Sequence, residues 1–197
     1  MNVHLEAVSL AQSTDTKTAI EQAALRLFVE RGIAETSIKE VARAAKVSQG
    51  AMYVHYTSKD ELAWQLFAKN YSEMGHALRH CAQEHRDLEA QFRAMVYYVF
   101  KRFEEDWLQV TYVFFARHHH LRRVTRRMGN PYLAFRNVIS RAMMRRQIPR
   151  QDLDLAASLV IGALIQVIDT RILGRISSNL PEQADRVAGA LVGLLRA

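Results

Sequence analysis

Ser48, Gln49, Ala51, Tyr53, His55 and Lys59 follow one another along a short stretch, with Lys39 and Lys46 just upstream. If the stretch is helical, Gln49, Ala51 and Tyr53 point outward while Val47 and Met52 point to a core. An outward amide and phenol, flanked by basic and hydroxyl groups, suit a helix that reads base edges with its first residues while its flanks hold phosphates. The chain offers no competing chemistry. It has no glycine-rich phosphate loop, no nucleophile motif and no paired metal-ligand spacing, so no catalytic residue, metal or cofactor is expected.

The elements that must position these side chains are written in capping residues. Ser37 and Glu40 fit a capping box, in which the hydroxyl accepts from the N3 amide and the carboxylate reaches back to the cap amide. Ile38, Val41, Ala42 and Ala45 then recur at helical spacing and leave Lys39, Arg43 and Lys46 outside. Ser48 is a favoured N-cap for a second short helix carrying Gln49, Gly50, Ala51, Met52 and Tyr53. Ser58 with Glu61 forms a second box, opening a longer helix whose first amides can also hold a phosphate. Two short helices around a tight turn, followed by a capped longer one, make a helix-turn-helix. The alternative is a small helical subdomain whose charges are merely solvated.

Ala42, Ala45, Val47-Ser48, Gly50, Met52-Tyr53, His55-Tyr56, Lys59 and Leu62 resemble, position by position, the DNA-binding segment of the TetR family of repressors. The resemblance covers roughly the first third of the chain, with Ile20 to Gly32 as the leading helix. It implies that Gln49 and Ala51 face bases, with Tyr53, His55 and Lys59 on the phosphate backbone. The candidate contact set is Ser37, Lys39, Lys46, Ser48, Gln49, Gly50, Ala51, Tyr53, His55, Tyr56 and Lys59. One position departs from the family, which usually has glycine where this chain has Lys46. A left-handed turn there costs a non-glycine residue about 1 to 2 kcal/mol. Either the turn relaxes, or Lys46 offsets the strain by meeting a phosphate.

Composition bounds the rest. A chain of 197 residues buries a sizeable core without staples. Cys81 is the single cysteine, which excludes an internal disulfide and fits a reducing, cytoplasmic setting. The opening MNVHLEAVSLAQST lacks a basic n-region before an apolar run and does not read as a signal peptide. The most apolar stretch, Leu153 to Ile168, is shorter than about 18 residues and is interrupted by Asp154, Ser158 and Gln166, so it reads as a buried helix with no membrane partner. The formal net charge of +7 is uneven. From Asp15 to Asp60 seven basic residues nearly balance six acids, whereas Arg117 to Arg150 holds ten arginines and no acid. Bulk charge is therefore weak support for a nucleic-acid partner, and the motif has to carry that inference.

Helix follows helix along the chain: Leu62 to Leu78, Leu88 to Phe103, Leu108 to Arg127, a break at Gly129-Asn130-Pro131, then Tyr132 to Gln147 stopped near Pro149. Period-2 patterns and hairpin signals are absent. The expected fold is all-α: an N-terminal three-helix helix-turn-helix DNA-binding domain, then a larger helical ligand-binding and dimerisation domain. The expected divisions are a flexible arm (1–14), the reader (15–62) and the effector-binding and dimerisation domain (63–197).

Two last helices are rich in small residues. A hairpin of them docking on its twin would form a four-helix seam through Leu155, Leu159, Gly162, Gln166, Val187, Ala190, Leu191 and Leu194. Equally, both helices could complete the monomer core. A two-fold dimer would present two readers to a palindromic operator in double-stranded DNA, and the resemblance implies that arrangement. More than half of the aromatic residues fall between Phe92 and Phe115. They read either as a packed core or as the wall of a small-molecule pocket, with Phe100, Phe103, Trp107, Tyr112, Phe115 and His119 as candidate lining. In TetR relatives this domain binds an effector, which favours the pocket for the region.

Three further features read plainly. His118-His119-His120 fan out by about 100 degrees each on a helix and do not converge on a metal. Cys81 has no CxxC partner and reads as an ordinary thiol. The arginine-rich span is either a solvated face, paired with acids such as Glu104, Glu105 and Asp106, or a binder of an anionic effector. The combined expectation is a ligand-responsive repressor that binds its operator as a homodimer and is released by a small molecule. The rivals are a helical scaffolding or catalytic protein, and a regulator that activates or takes no effector.

Overall fold

The computed structural model describes the backbone of residues 2–125 and 127–197, and the side chains from Asp15 onward except that of residue 126. Among the described residues the regular structure is helical: α1 (Asn2–Arg31), α2 (Ile38–Ala44), α3 (Gln49–His55), α4 (Lys59–Gln83), α5 (Leu88–Glu105), α6 (Trp107–His120), α7 (Pro131–Met144), α8 (Leu153–Ile172) and α9 (Ala184–Arg196). Short 3-10 turns follow α6 and precede α9. The side chains of the expected flexible arm lie outside the described residues; along its backbone α1 is continuous from Asn2.

Two compact units form, one from Met1–Lys69 with Thr111–Arg122 and one from Asn70–Val110 with Arg123–Ala197. The first therefore reaches past residue 62, where the sequence suggested the reader would end. The reason is in its core. Ile20, Ala24 and Phe28 of α1, Val41 and Ala42 of α2, and Met52 of α3 are buried together with Leu62, Ala63, Leu66 and Phe67 of α4. Tyr112 of α6 stacks on Phe28, with ring centroids 6.0 Å apart, and donates its hydroxyl to the Ala63 carbonyl at 2.9 Å. Helices α1 to α3 cannot bury enough apolar surface alone, and the later part of α6 supplies the missing side. His120 completes that side with its ring 5.0 Å from Phe67 and 5.8 Å from Trp64, while His118 and His119 face out.

In the second unit α5 packs on α9, α7 on α8, and α5 also meets α7 and α8. Leu88, Phe92, Met95, Val96, Val99, Phe100 and Phe103 form the buried face of α5, with Phe92 edge-on to Phe135 of α7. Asn130 is the N-cap of α7: its side chain accepts from the Leu133 amide at 3.1 Å and from the Tyr71 hydroxyl at 2.9 Å. The acids expected to neutralise the arginine-rich span are engaged elsewhere. Arg171 holds Glu104, and Arg102 holds Glu105. Within the span, Arg136 pairs with Asp154 at 2.6 Å, which holds that carboxyl below its usual range, helped by the Tyr132 hydroxyl.

Helix α8 is longer than the sequence suggested, 20 residues through Ile172, and by length and composition it is apolar enough to cross a membrane. Only 28% of its most apolar stretch is buried. Ala156, Ala157, Val160, Leu164 and Ile168 face the core, whereas Leu155 and Leu159 face out. The helix is thus apolar on a buried face and on an exposed column as well, and is not the fully buried core helix that the sequence suggested.

Candidate nucleic-acid interface

Local capping fixes α2 and α3 before tertiary contacts act. Ser37 Oγ accepts from the Glu40 amide at 3.2 Å, and the Glu40 carboxylate accepts from the Ser37 amide and hydroxyl, both at 2.8 Å. Those bonds, the Ser37 amide first, hold the Glu40 carboxyl below its usual range, assisted by Arg31. Ser48 Oγ accepts from the Ala51 amide at 3.1 Å, and Ser58 Oγ from the Glu61 amide at 3.1 Å. The hydroxyls of Ser37 and Ser48 are thus engaged in caps, although both residues are exposed.

The turn between α2 and α3 keeps its strain. Lys46 has φ 58°, with its amide bonded to Arg43 O at 3.1 Å and the Val47 amide to Ala42 O at 2.9 Å. This is a Schellman-type end, with the left-handed residue at the position that favours glycine. Replacing Lys46 by glycine should therefore stabilise the fold by about 1 kcal/mol, visible in a thermal melt as a rise of roughly 2 to 4 °C. A lower midpoint would show that the Lys46 side chain contributes more than its backbone costs.

On α3 the outer face gathers Gln49, Gly50, Tyr53 and Val54, all exposed, with Ala51 and His55 half-buried at its margins. Lys39 and Lys46 are exposed on the preceding helix and turn. Lys59 is half-buried and its ammonium donates to the Ala34 carbonyl at 3.0 Å, which leaves two of its three protons for another acceptor. Tyr56 is corrected from a contact residue to a core residue. It is 2% exposed, and its hydroxyl donates to Glu21 Oε1 at 2.8 Å. Burial first, then the Glu21 hydrogen bond, pushes its phenol far above the usual range. As the C-cap of α3 it sits where the helix turns back into the reader's core. Val54, 79% exposed, was missed. Its place one turn after Gly50 was the signal available in the sequence.

The aromatic pocket candidates do not assemble into one lining within either unit. Phe100 and Phe103 are packed in the α5 core, and Tyr112 is a buried part of the reader's unit. Trp107 is 43% and Phe115 54% exposed, and His119 is exposed as well. The packed-core reading therefore describes the buried members. A cavity of about 590 Å³ in the second unit is lined instead by Met143, Met144, Arg146, Gln147, Ile148, Pro149 and Arg150. Cys81 is half-buried, and burial with the neighbouring Glu84 charge raises its thiol pKa, against a reactive thiolate.

Of the seam candidates, Leu155, Leu159, Gly162, Gln166, Ala190 and Leu194 are exposed and Val187 is half-buried. Leu191 is corrected: it is 3% exposed and belongs to the unit's own core, because it lies on the face of α9 that also buries Ala188, Val192 and Leu195, about 60° round the helix from Leu194.

Comparison with known proteins agrees with this geometry. The model for bacterial regulatory proteins of the tetR family matches residues 20–66. The transcriptional regulator AcrR of Shigella flexneri is 38% identical over 66 residues, 32% of this chain and 31% of that protein. The regulator TtgR of Pseudomonas putida is 34% identical over 68 residues, 34% of this chain and 32% of that protein. The chain thus matches about a third of the length of these relatives. Over nearly the whole chain the fold is shared with a TetR family transcription regulator from Marinobacter aquaeolei, with TM-score 0.77, 15% identity, and 93% of this chain and 96% of that one covered. It is shared too with the regulator FadR of Bacillus subtilis, solved with stearoyl-CoA, with TM-score 0.70, 15% identity, and 89% and 97% covered. The capped α2–α3 pair thus lies within the segment that matches the tetR family of bacterial regulatory proteins, and the all-helical fold is the one found in solved TetR family regulators.

Proposed function

We propose that the chain is a cytoplasmic, ligand-responsive repressor that binds a palindromic operator in double-stranded DNA as a homodimer. The observation that carries this reading is the outer face of α3. It exposes Gln49, Gly50, Tyr53 and Val54 while its inner face buries Met52. In the major groove the Gln49 amide can hold an adenine edge in two hydrogen bonds, and Tyr53, His55 and the free protons of Lys59 can reach phosphate oxygens. The exposed column of Leu155, Leu159 and Gly162, with Ala190 and Leu194 beside it in chain order, supports a second copy as its partner. Gly162, Gly189 and Gly193 each face open space, which lets another helix approach closely.

An effector with apolar bulk, taken up by residues 63–197, would favour a state whose two readers no longer match successive half-sites. A coupling of about 1 to 3 kcal/mol lowers operator affinity roughly 5- to 150-fold. FadR of Bacillus subtilis, with its stearoyl-CoA, is an example of this fold taking such a ligand. The reading is tested by gel shift on the upstream region of the chain's own gene. Tyr53→Ala should weaken specific binding on the order of tenfold or more, and Lys59→Ala should weaken it and flatten its salt dependence. Binding untouched by both changes would move the reading surface away from α3. Calorimetry and operator release over a metabolite panel test the effector, and a panel in which no compound binds or releases DNA would remove it.

A further inference from the structure

Val54 is the most exposed of the large apolar side chains among the described residues, at 79%. A β-branched residue is a poor choice for a solvent-facing helix position, because its χ1 freedom is lost there without packing in return. Around it α3, from Gln49 to His55, carries neither an acid nor a lysine or arginine. The outer face forms two adjoining columns, Gln49 with Tyr53 and Gly50 with Val54, each pair one helical turn apart. Gly50 presents no side chain, and only Ser48 Oγ, at 3.7 Å, would lie within 4 Å of a methyl placed there. A surface can therefore come close to the backbone at Gly50 and meet Val54 one turn further on.

In the major groove, the 5-methyl group of thymine is the apolar group that base pairs present. We propose that Val54 is a specificity-determining residue that packs on the 5-methyl of one thymine in each operator half-site, with Gly50 giving the duplex room to approach. The proposal rests on the DNA-reading role of α3. It also names a feature of the operator: one position in each half-site where thymine is required for its methyl, and not for its hydrogen-bonding edge.

The test uses the full chain. Duplexes are enriched from a random-sequence library, and each thymine of the enriched site is then replaced in turn by deoxyuridine, which lacks only the methyl. One position per half-site should lose about fourfold in affinity, and on the order of tenfold when both half-sites are changed. Val54→Ala, at an exposed position that leaves the circular dichroism unchanged, should bring the thymine and uracil duplexes to within about twofold of each other. Enrichment of a site at which no uracil matters would overturn the role of Val54 and leave α3 as reader. A uracil effect that persists in Val54→Ala would overturn it too, and if that effect then disappears in Ala51→Gly, the methyl belongs to Ala51. Failure to enrich any duplex would overturn the DNA-reading role itself.

Discussion

Arginine at Leu159 and Leu194 should give a folded chain that sediments at its 22.6 kDa monomer mass, where the proposed homodimer would sediment at about twice that. Both leucines face out, at 48% and 41% exposure, so neither contributes much to the core of its own unit. In a two-fold seam each is buried twice, and full burial of one leucine is worth about 1.5 to 3 kcal/mol. Four guanidinium groups brought together there would also have to be desolvated without partners. The thermal midpoint of the separated chain should be concentration-independent, and operator affinity should fall by two orders of magnitude or more, because a single reader holds one half-site. Leu191→Arg is the control. At 3% exposure it should unfold the second unit outright. A Leu159→Arg/Leu194→Arg protein that keeps the native mass would show that this face is not the seam.

The second large effect is expected at Gly75, within α4. A methyl built there overlaps the backbone of Gly129 and Asn130, and one built at Gly129 overlaps the Ser72 carbonyl and His76. The helix and the segment before α7 are in backbone contact, and two hydrogen bonds lock the pair: Gly129 N to Ser72 Oγ at 3.0 Å and Tyr71 Oη to Asn130 Oδ1 at 2.9 Å. Gly75→Ala cannot be absorbed by a side chain turning away, because the obstacle is backbone. Overpacking costs about 1 to 3 kcal/mol, and stretching each hydrogen bond adds about 1 kcal/mol. The thermal midpoint should drop by roughly 6 to 20 °C. Tyr71→Phe, which removes one of the two bonds and leaves the backbone contact, should cost only about 1 kcal/mol. A Gly75→Ala protein that melts within a degree or two of the native one would mean that the segment before α7 shifts without cost.

The reader was legible because its information is local. Ser37, Glu40, Ser48 and Ser58 cap their helices through amides three residues away, so the start of each element is stated by neighbouring residues. Lys46 was singled out by the resemblance, which has glycine at that turn, and its φ of 58° shows that the turn does not relax. Tyr56 was not legible as a core residue. Its neighbours His55 and Lys59 are surface residues in sequence terms, and only Glu21 on α1, brought alongside by the fold, shows that its hydroxyl points inward. The aromatic cluster misled in a related way. Phe100 and Tyr112 are close in the chain but bury against different neighbours in different units. Sequence proximity cannot say which side of a helix pair a ring will occupy.

Sequence alone determined that this chain is a succession of helices with a capped helix-turn-helix near its start, because periodicity and capping act over a few residues. It also determined the residue types on offer to a base edge. Tertiary structure decided which of them are free. It buried Tyr56, set Lys59 on the Ala34 carbonyl, left Val54 at the tip, and drew the later part of α6 into the reader's unit. Exposure of a side chain depends on which distant surfaces cover it, and that is settled only when apolar faces from remote parts of the chain leave water together.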